Sequence, residues 1–141
     1  MSRIYWDSML FVYALEENPT FSPAVRRILQ SMIERGDTLC TSVFSVGEVL
    51  AGPRKLSSHS GADRVKQFFA SKVVEVLPFN LDTADRFSVI RAETGARPAD
   101  AIHLATAVEA HADLFLTNDK KLHNMRIRGI PFIAGLDGKI F

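Results

Sequence analysis

The sequence is short of the features that would assign it quickly. It has one cysteine, Cys40, so no disulfide can form within the chain. A lone thiol inside the apolar run Thr38–Thr41 reads as core filler, and favours a reducing compartment, the cytoplasm. No apolar run approaches the ~20 residues that a membrane-spanning helix needs. The chain enters a strand-like segment almost at its first residue, so no signal peptide is expected. Neither sign of charge is in excess. The formal net charge of +1 does not advertise a global attraction to nucleic acid, and leaves room for a local one. The glycine motifs that cradle phosphate are missing, G-x-G-x-x-G and G-x-x-x-x-G-K-S/T alike. So are C-x-x-C and H-x-x-x-H zinc spacings and the G-x-S-x-G nucleophile turn.

What is present suits one compact domain spanning 1–141. The chain is 47% apolar and 23% charged, which supplies a full core under a soluble surface. Short apolar runs at Arg3–Trp6, Thr38–Thr41, Val73–Leu77, Leu114–Thr117 and, more weakly, Ile130–Ile133 read as strands. Helical patterns separate them: Met9–Leu15; a helix opened by Ser22-Pro23 with Val25, Ile28, Leu29, Met32 and Ile33 on one face; Val43–Leu50, stopped by Gly52-Pro53; Asp63–Ser71; Thr83–Thr94; Pro98–His111; and Lys120–Met125. Arg54–Gly61 reads as a loop. The alternation predicts a three-layer α/β/α domain around a central, mostly parallel sheet.

Four acids then stand out. Asp7, Glu48, Asp100 and Asp119 each fall at or beside a strand-to-helix junction. In a parallel sheet those junctions share the carboxyl edge, where such folds keep their sites. Gathered there, carboxylates repel one another, and a hard divalent cation such as Mg²⁺ or Mn²⁺ relieves the repulsion. Each acid also has a local role open to it. Asp7 and Asp119 can cap the helices that follow them, Glu48 completes an S-x-x-E capping box with Ser45, and Asp100 suits a first helical turn. Against a purely local reading, the largely apolar helix from Pro98 carries Asp100, His103 and Thr106 at three-residue spacing. A buried polar stripe of that kind needs partners. His103 reads as a packed, hydrogen-bonded histidine rather than a ligand, since all-oxygen sites suit Mg²⁺ better. His59, His111 and His123 show no ligand spacing. Arg54, Lys55, Arg97, Lys120 and Lys121 lie near the acids in sequence, and are either solvated surface or a rim of phosphate contacts.

These motifs resemble those of the PIN-domain family, particularly its bacterial VapC-type toxin branch. Ile4–Ser8 is similar to the family's opening strand ending in Asp-Ser or Asp-Thr, and Ser45–Leu50 to the segment holding its glutamate. P-A-D-A-I-H-L-A-T-A, Pro98–Ala107, is the most specific match, and Leu116–Asp119 is similar to the fourth motif. Met9 departs from the small polar residue often found at its place. The resemblance implies a PIN-like fold with Asp7, Glu48, Asp100 and Asp119 as the catalytic, metal-binding centre. It implies support by hydrogen bonding from Ser8, Thr117 and Asn118, a ribonuclease activity on RNA, a homodimer, and a small antitoxin partner. The expected chemistry is Mg²⁺- or Mn²⁺-dependent hydrolysis of an RNA phosphodiester, with Arg97 and Lys120 positioning the backbone. The alternatives are a non-catalytic module that binds RNA or protein, and a phospho-acceptor domain of receiver type, for which a second acid beside Asp7 is missing. The helices bearing Val65, Phe68 and Phe69, and Phe87, Val89 and Ile90, carry more apolar bulk than short strands need, which places the expected dimer interface there.

Overall fold

The computed structural model describes residues 1–137. Five strands form one parallel sheet: β1 (Arg3–Trp6), β2 (Thr38–Ser42), β3 (Val74–Leu77), β4 (Leu114–Leu116) and β5 (Phe132–Ala134). Their spatial order is β3-β2-β1-β4-β5. The helices between them are α1 (Ser8–Leu15), α2 (Ser22–Arg35), α3 (Val43–Lys55), α4 (His59–Ala70), α5 (Leu81–Thr94), α6 (Pro98–Glu109) and α7 (Lys120–His123).

The topology explains the layers. The chain builds outward from β1 through β2 to β3, then returns to the other side of β1 for β4 and β5. Parallel crossovers are right-handed, so reversing the direction of travel puts the later helices on the opposite face. Residue alternation along the strands confirms it. Ile4 and Trp6, Leu39, and Leu114 and Leu116 join Leu10, Phe11, Val25, Val49, Val65 and Phe69 in one core cluster. Tyr5, Cys40 and Phe115 join Ile90, Ala101, Leu104, Ala105 and Leu122 in the other. The central strands β1, β2 and β4 thus bury both faces, as a sheet covered on both sides requires, while the edge strands leave Glu75 and Phe132 exposed.

Reversal at β1 also creates a topological switch point between β1 and β4. Open α/β sheets hold their ligands outside the carboxyl ends of the strands at such a point. Asp7 follows β1 directly and Thr117 follows β4 directly.

Several local expectations shift. α3 does not stop at Gly52-Pro53 but runs on to Lys55 with Pro53 inside it. Proline there costs one backbone bond near the helix end, while the Leu56 N–H still reaches the Gly52 carbonyl at 3.3 Å. Most of the expected loop 54–61 is therefore helix, broken only by a tight turn at Ser57, whose φ is +52°. Ser58 caps α4 by accepting the Gly61 N–H at 3.1 Å. A Cβ on Gly61 would meet Ser58 Oγ at 2.8 Å, so a larger residue there would push the capping hydroxyl aside. Ser22 lies within α2 rather than capping it, with Phe21 at the cap, and Ile33 points to solvent. β5 starts two residues later and ends one later than expected, paired with β4 from Phe132 to Ala134, with Ile130 buried before it. Of the two apolar helices, α4 spends Val65 and Phe69 on the core with Phe68 half-buried against it, and α5 buries Ile90. α4 packs against α3 and β3 and α5 against α6, and Val89 is the exposed member.

Candidate active site

Asp7, Glu48, Asp100 and Asp119 line one open cavity of about 350 Å³ at the carboxyl edge, together with Ser8, Met9, Tyr13, Ala99, His103 and Asn118. A larger hollow of about 530 Å³ lies near the start of the strands beside Ile4, Leu114 and Phe132, and contains none of the four acids. The acidic cavity is the one at the switch point.

Local structure places the acids. Asp7 is the N-cap of α1: one carboxylate oxygen accepts the Met9 N–H at 3.2 Å. Its other oxygen accepts the Thr117 hydroxyl, tying β1 to β4 across the switch point. Asp119 caps α7 by accepting the Lys121 N–H at 3.0 Å, and its own N–H donates to Thr117 Oγ1 at 3.0 Å. Asp100 stands in the first turn of α6, where the helix dipole favours a carboxylate. Glu48 does not form the expected capping box, because Ser42 is the N-cap of α3, accepting the Phe44 N–H at 3.0 Å. Ser45 thereby falls inside the helix and Glu48 lies further along it, with its side chain turned to the cavity.

Burial pushes the Asp7 carboxyl above the usual carboxylate range, with the charge of Glu48 adding to the rise and the Thr117 hydrogen bond opposing it. Asp100 is raised too, first by burial, then by the charge of Asp119. For both acids desolvation is the larger cause, and like-charge repulsion adds to it.

Behind the acids, His103 is packed and hydrogen-bonded, as expected for a histidine on this apolar helix, and Tyr5 and His123 join it. His103 is 4% exposed, and its Nε2 lies 2.6 Å from Glu48 Oε1. Its Nδ1 lies 2.7 Å from the Tyr5 hydroxyl, a phenol whose pKa burial drives far above its usual value. His123 Nε2 donates to the Thr117 carbonyl at 2.8 Å and so holds the start of the fourth motif. Tyr5 was hidden in a strand, where a buried tyrosine has no distinguishing pattern; the three-residue spacing from Asp100 to His103 was the one available signal. Ser8 and Asn118 reach the cavity wall, and among the described residues neither hydrogen-bonds an acid; the Asn118 amide donates at a long 3.4 Å to the Tyr13 hydroxyl. Arg97 and Lys120 are exposed beside the cavity and outside its lining. Arg54 lines a separate cleft with Pro53, Ser57, Ser58 and His59.

The donor set is carboxylate oxygen, the choice of a hard cation. As the side chains stand, no three of the described His, Cys, Asp and Glu residues close on one point to hold an ion. A magnesium site does not require that, since Mg²⁺ keeps several waters and takes one or two carboxylates together with substrate phosphate oxygens. Partly desolvated acids facing one another fit that chemistry.

Comparisons with known proteins agree with the fold. The structure is similar to VapBC2 of Rickettsia felis bound to a promoter DNA fragment (TM-score 0.76, 16% identity, covering 94% of this chain and 98% of that one). It is also similar to DNA-bound VapBC of Salmonella typhimurium (TM-score 0.73, 22% identity, 96% and 99%). A third similar structure is VapC20 of Mycobacterium tuberculosis, a sarcin-ricin loop cleaving toxin (TM-score 0.67, 16% identity, 79% and 86%). Among curated protein sequences no relative matches. The PIN domain family matches residues 4–127, from the first strand past the fourth acid, and the chain belongs to that family.

Proposed function

We propose that this PIN domain is a divalent-metal-dependent endoribonuclease that hydrolyses RNA phosphodiester bonds with Mg²⁺ or Mn²⁺, and that it is the toxin of a toxin–antitoxin pair. The observation that carries this reading is the convergence of four acids, from four distant places in the sequence, on one cavity at the switch point. Asp7 and Asp100 are the chief ligands, with Glu48 and Asp119 completing the acidic wall. A bound cation there supplies an acidified water and neutralises charge on the phosphate. The protein supplies the rest. Thr117 fixes the Asp7 carboxylate, the caps of α1 and α7 fix Asp7 and Asp119, and exposed Arg97 and Lys120 steady the RNA backbone without reading its bases.

The toxin assignment is supported by the similar structures, which are toxins or toxin–antitoxin complexes, and it brings with it a small antitoxin partner, a homodimer and a cytoplasmic location. Among the described residues no helix is long and apolar enough to cross a membrane. The receiver alternative fails on topology, because such domains order their strands 2-1-3-4-5 and this sheet does not. The test is cleavage of a mixed RNA pool with Mn²⁺, with EDTA and Asp7→Asn as controls. Cleavage that needs both metal and Asp7 supports the enzyme. Binding without cleavage by the well-folded parent would establish the non-catalytic module instead.

A further inference from the structure

We infer that His103 is a positioning residue for Glu48, held in one tautomer by a proton chain that begins at the backbone of Ser42 and passes through Tyr5. Its importance for catalysis rests on the proposed nuclease reading; the proton order does not.

The chain can be followed atom by atom. The Ser42 N–H lies 3.2 Å from the Tyr5 hydroxyl oxygen and can only donate to it. Tyr5 keeps its own proton, and His103 Nδ1, 2.7 Å away, is the acceptor its geometry supplies. The neighbouring hydroxyls cannot take its place. Thr41 donates its single proton to the Trp6 carbonyl at 2.8 Å, so in the 2.7 Å contact between Thr41 and Ser45 the donor is Ser45. The Ser45 proton is thus committed, and its oxygen is a distant 3.4 Å from Nδ1. With Nδ1 accepting, the neutral ring carries its proton on Nε2, pointed at Glu48 Oε1 2.6 Å away. The opposite tautomer would bring a ring lone pair against a carboxylate lone pair at that distance. The Tyr5 and Phe44 rings pack edge-on against the imidazole, with centroids 5.9 and 5.6 Å off, and prevent it from turning.

Glu48 needs this support more than Asp7 or Asp119 does. Asp7 and Asp119 are tied to backbone N–H groups. Among the described residues His103 is the one hydrogen-bond donor to the Glu48 carboxylate. Without it, a long flexible side chain in the middle of α3 has several rotamers available. With it, Oε1 is fixed and Oε2 is left for the cavity. Because α6 carries both Asp100 and His103, the same helix sets two of the four acids, one directly and one across to α3.

Two readouts test this. The first is long-range ¹H–¹⁵N correlation of the metal-free, histidine-labelled protein, with the His103 signals identified by their loss in His103→Gln. A protonated Nε2 and bare Nδ1 are expected in the parent, with mixed tautomers in Tyr5→Phe; a proton on Nδ1 in the parent overturns the inference. The second is Mn²⁺ binding without RNA, followed by electron paramagnetic resonance. His103→Leu keeps the bulk and loses the donor, and should weaken binding by about 10- to 100-fold. His103→Gln places an amide N–H near the old Nε2 and should recover most of the loss. Unchanged affinity in folded His103→Leu overturns the inference. If that variant fails to fold, His103→Gln and Tyr5→Phe carry the test, and Tyr5→Phe binding Mn²⁺ as tightly as the parent, with its tautomer unchanged, overturns it. Metal binding by the parent without RNA cleavage removes the ribonuclease reading and leaves the positioning role; no metal binding at all removes both.

Discussion

At the residue scale the decisive group is Asp7, which serves two demands that pull apart. It closes the local structure by capping α1 and accepting from Thr117, and it stands partly desolvated before other carboxylates. Asparagine keeps the capping oxygen and loses the charge. Asp7→Asn should therefore fold and fail to cleave RNA, and an undiminished rate in a well-folded variant would remove Asp7 from the mechanism. Its stability should carry a sign that depends on pH. A carboxyl whose folded pKa is raised binds its proton more tightly in the native state, so its ionisation costs stability as pH rises from the ordinary value of about 3.9 through the raised one. Relative to the parent, Asp7→Asn should gain stability over that window and keep the gain at neutral pH. Urea titrations at pH 3.5, 5 and 7 would check it, and a gain that shrinks with rising pH would contradict the assignment. Divalent cation should reverse the ranking. A ligand that binds only the native state adds about 2.7 kcal/mol at a hundredfold excess over Kd, and the parent alone should receive it. These acids were legible from sequence because strand ends and caps have recognisable neighbours. His103 and Tyr5 were less so, because a hydrogen bond between residues 98 positions apart leaves no local trace.

At the element scale, α3 and the segment before β5 show where rigidity is placed. Ser42 ends β2 and caps α3, the helix that carries Glu48. Ser42→Ala leaves the Phe44 N–H without its partner and should cost about 1 kcal/mol in thermal or chemical unfolding. No change would mean that water satisfies the helix end as well. Gly129 has φ +96°, and a Cβ there would lie 2.9 Å from Val108 Cγ1 on α6. Gly129→Ala combines backbone strain with a clash and should destabilise by roughly 1–3 kcal/mol; a neutral result would show that the loop can move off α6. Strands β1 to β4 and most helices were readable from alternation and periodicity. The failures share a cause: Pro53 was read as a stop because propensity is local, whereas α3 is held past it by packing, with Pro53 itself buried. β5 was misplaced because its register is fixed by pairing with β4, Leu114 against Phe132, rather than by its own apolar pattern.

At the scale of the whole molecule, the question is how a protein of net charge +1 would bind the RNA proposed as its substrate. Long-range attraction is small, and the cavity itself is lined with acids. Affinity must then come from bound cation and from a few local bases. Arg97 and Lys120 are exposed, flank Asp100 and Asp119 in sequence, and form no ion pair among the described residues. Binding to single-stranded RNA should be weak, should depend on divalent metal, and should fall gently with salt, with a log–log slope of magnitude about 0.7 per phosphate contact. Arg97→Ala and Lys120→Ala should each reduce that slope by about one contact's worth and weaken all sequences alike, since phosphate contacts position a strand without reading it. Any sequence preference should survive both changes. The measurement is RNA affinity against salt with and without Mn²⁺, for the parent and both variants, on an Asp100→Asn background where cleavage interferes. A steep slope that persists without metal would reveal a broad basic surface elsewhere on the protein. It would shift the working part of the molecule from the acidic cavity to that surface.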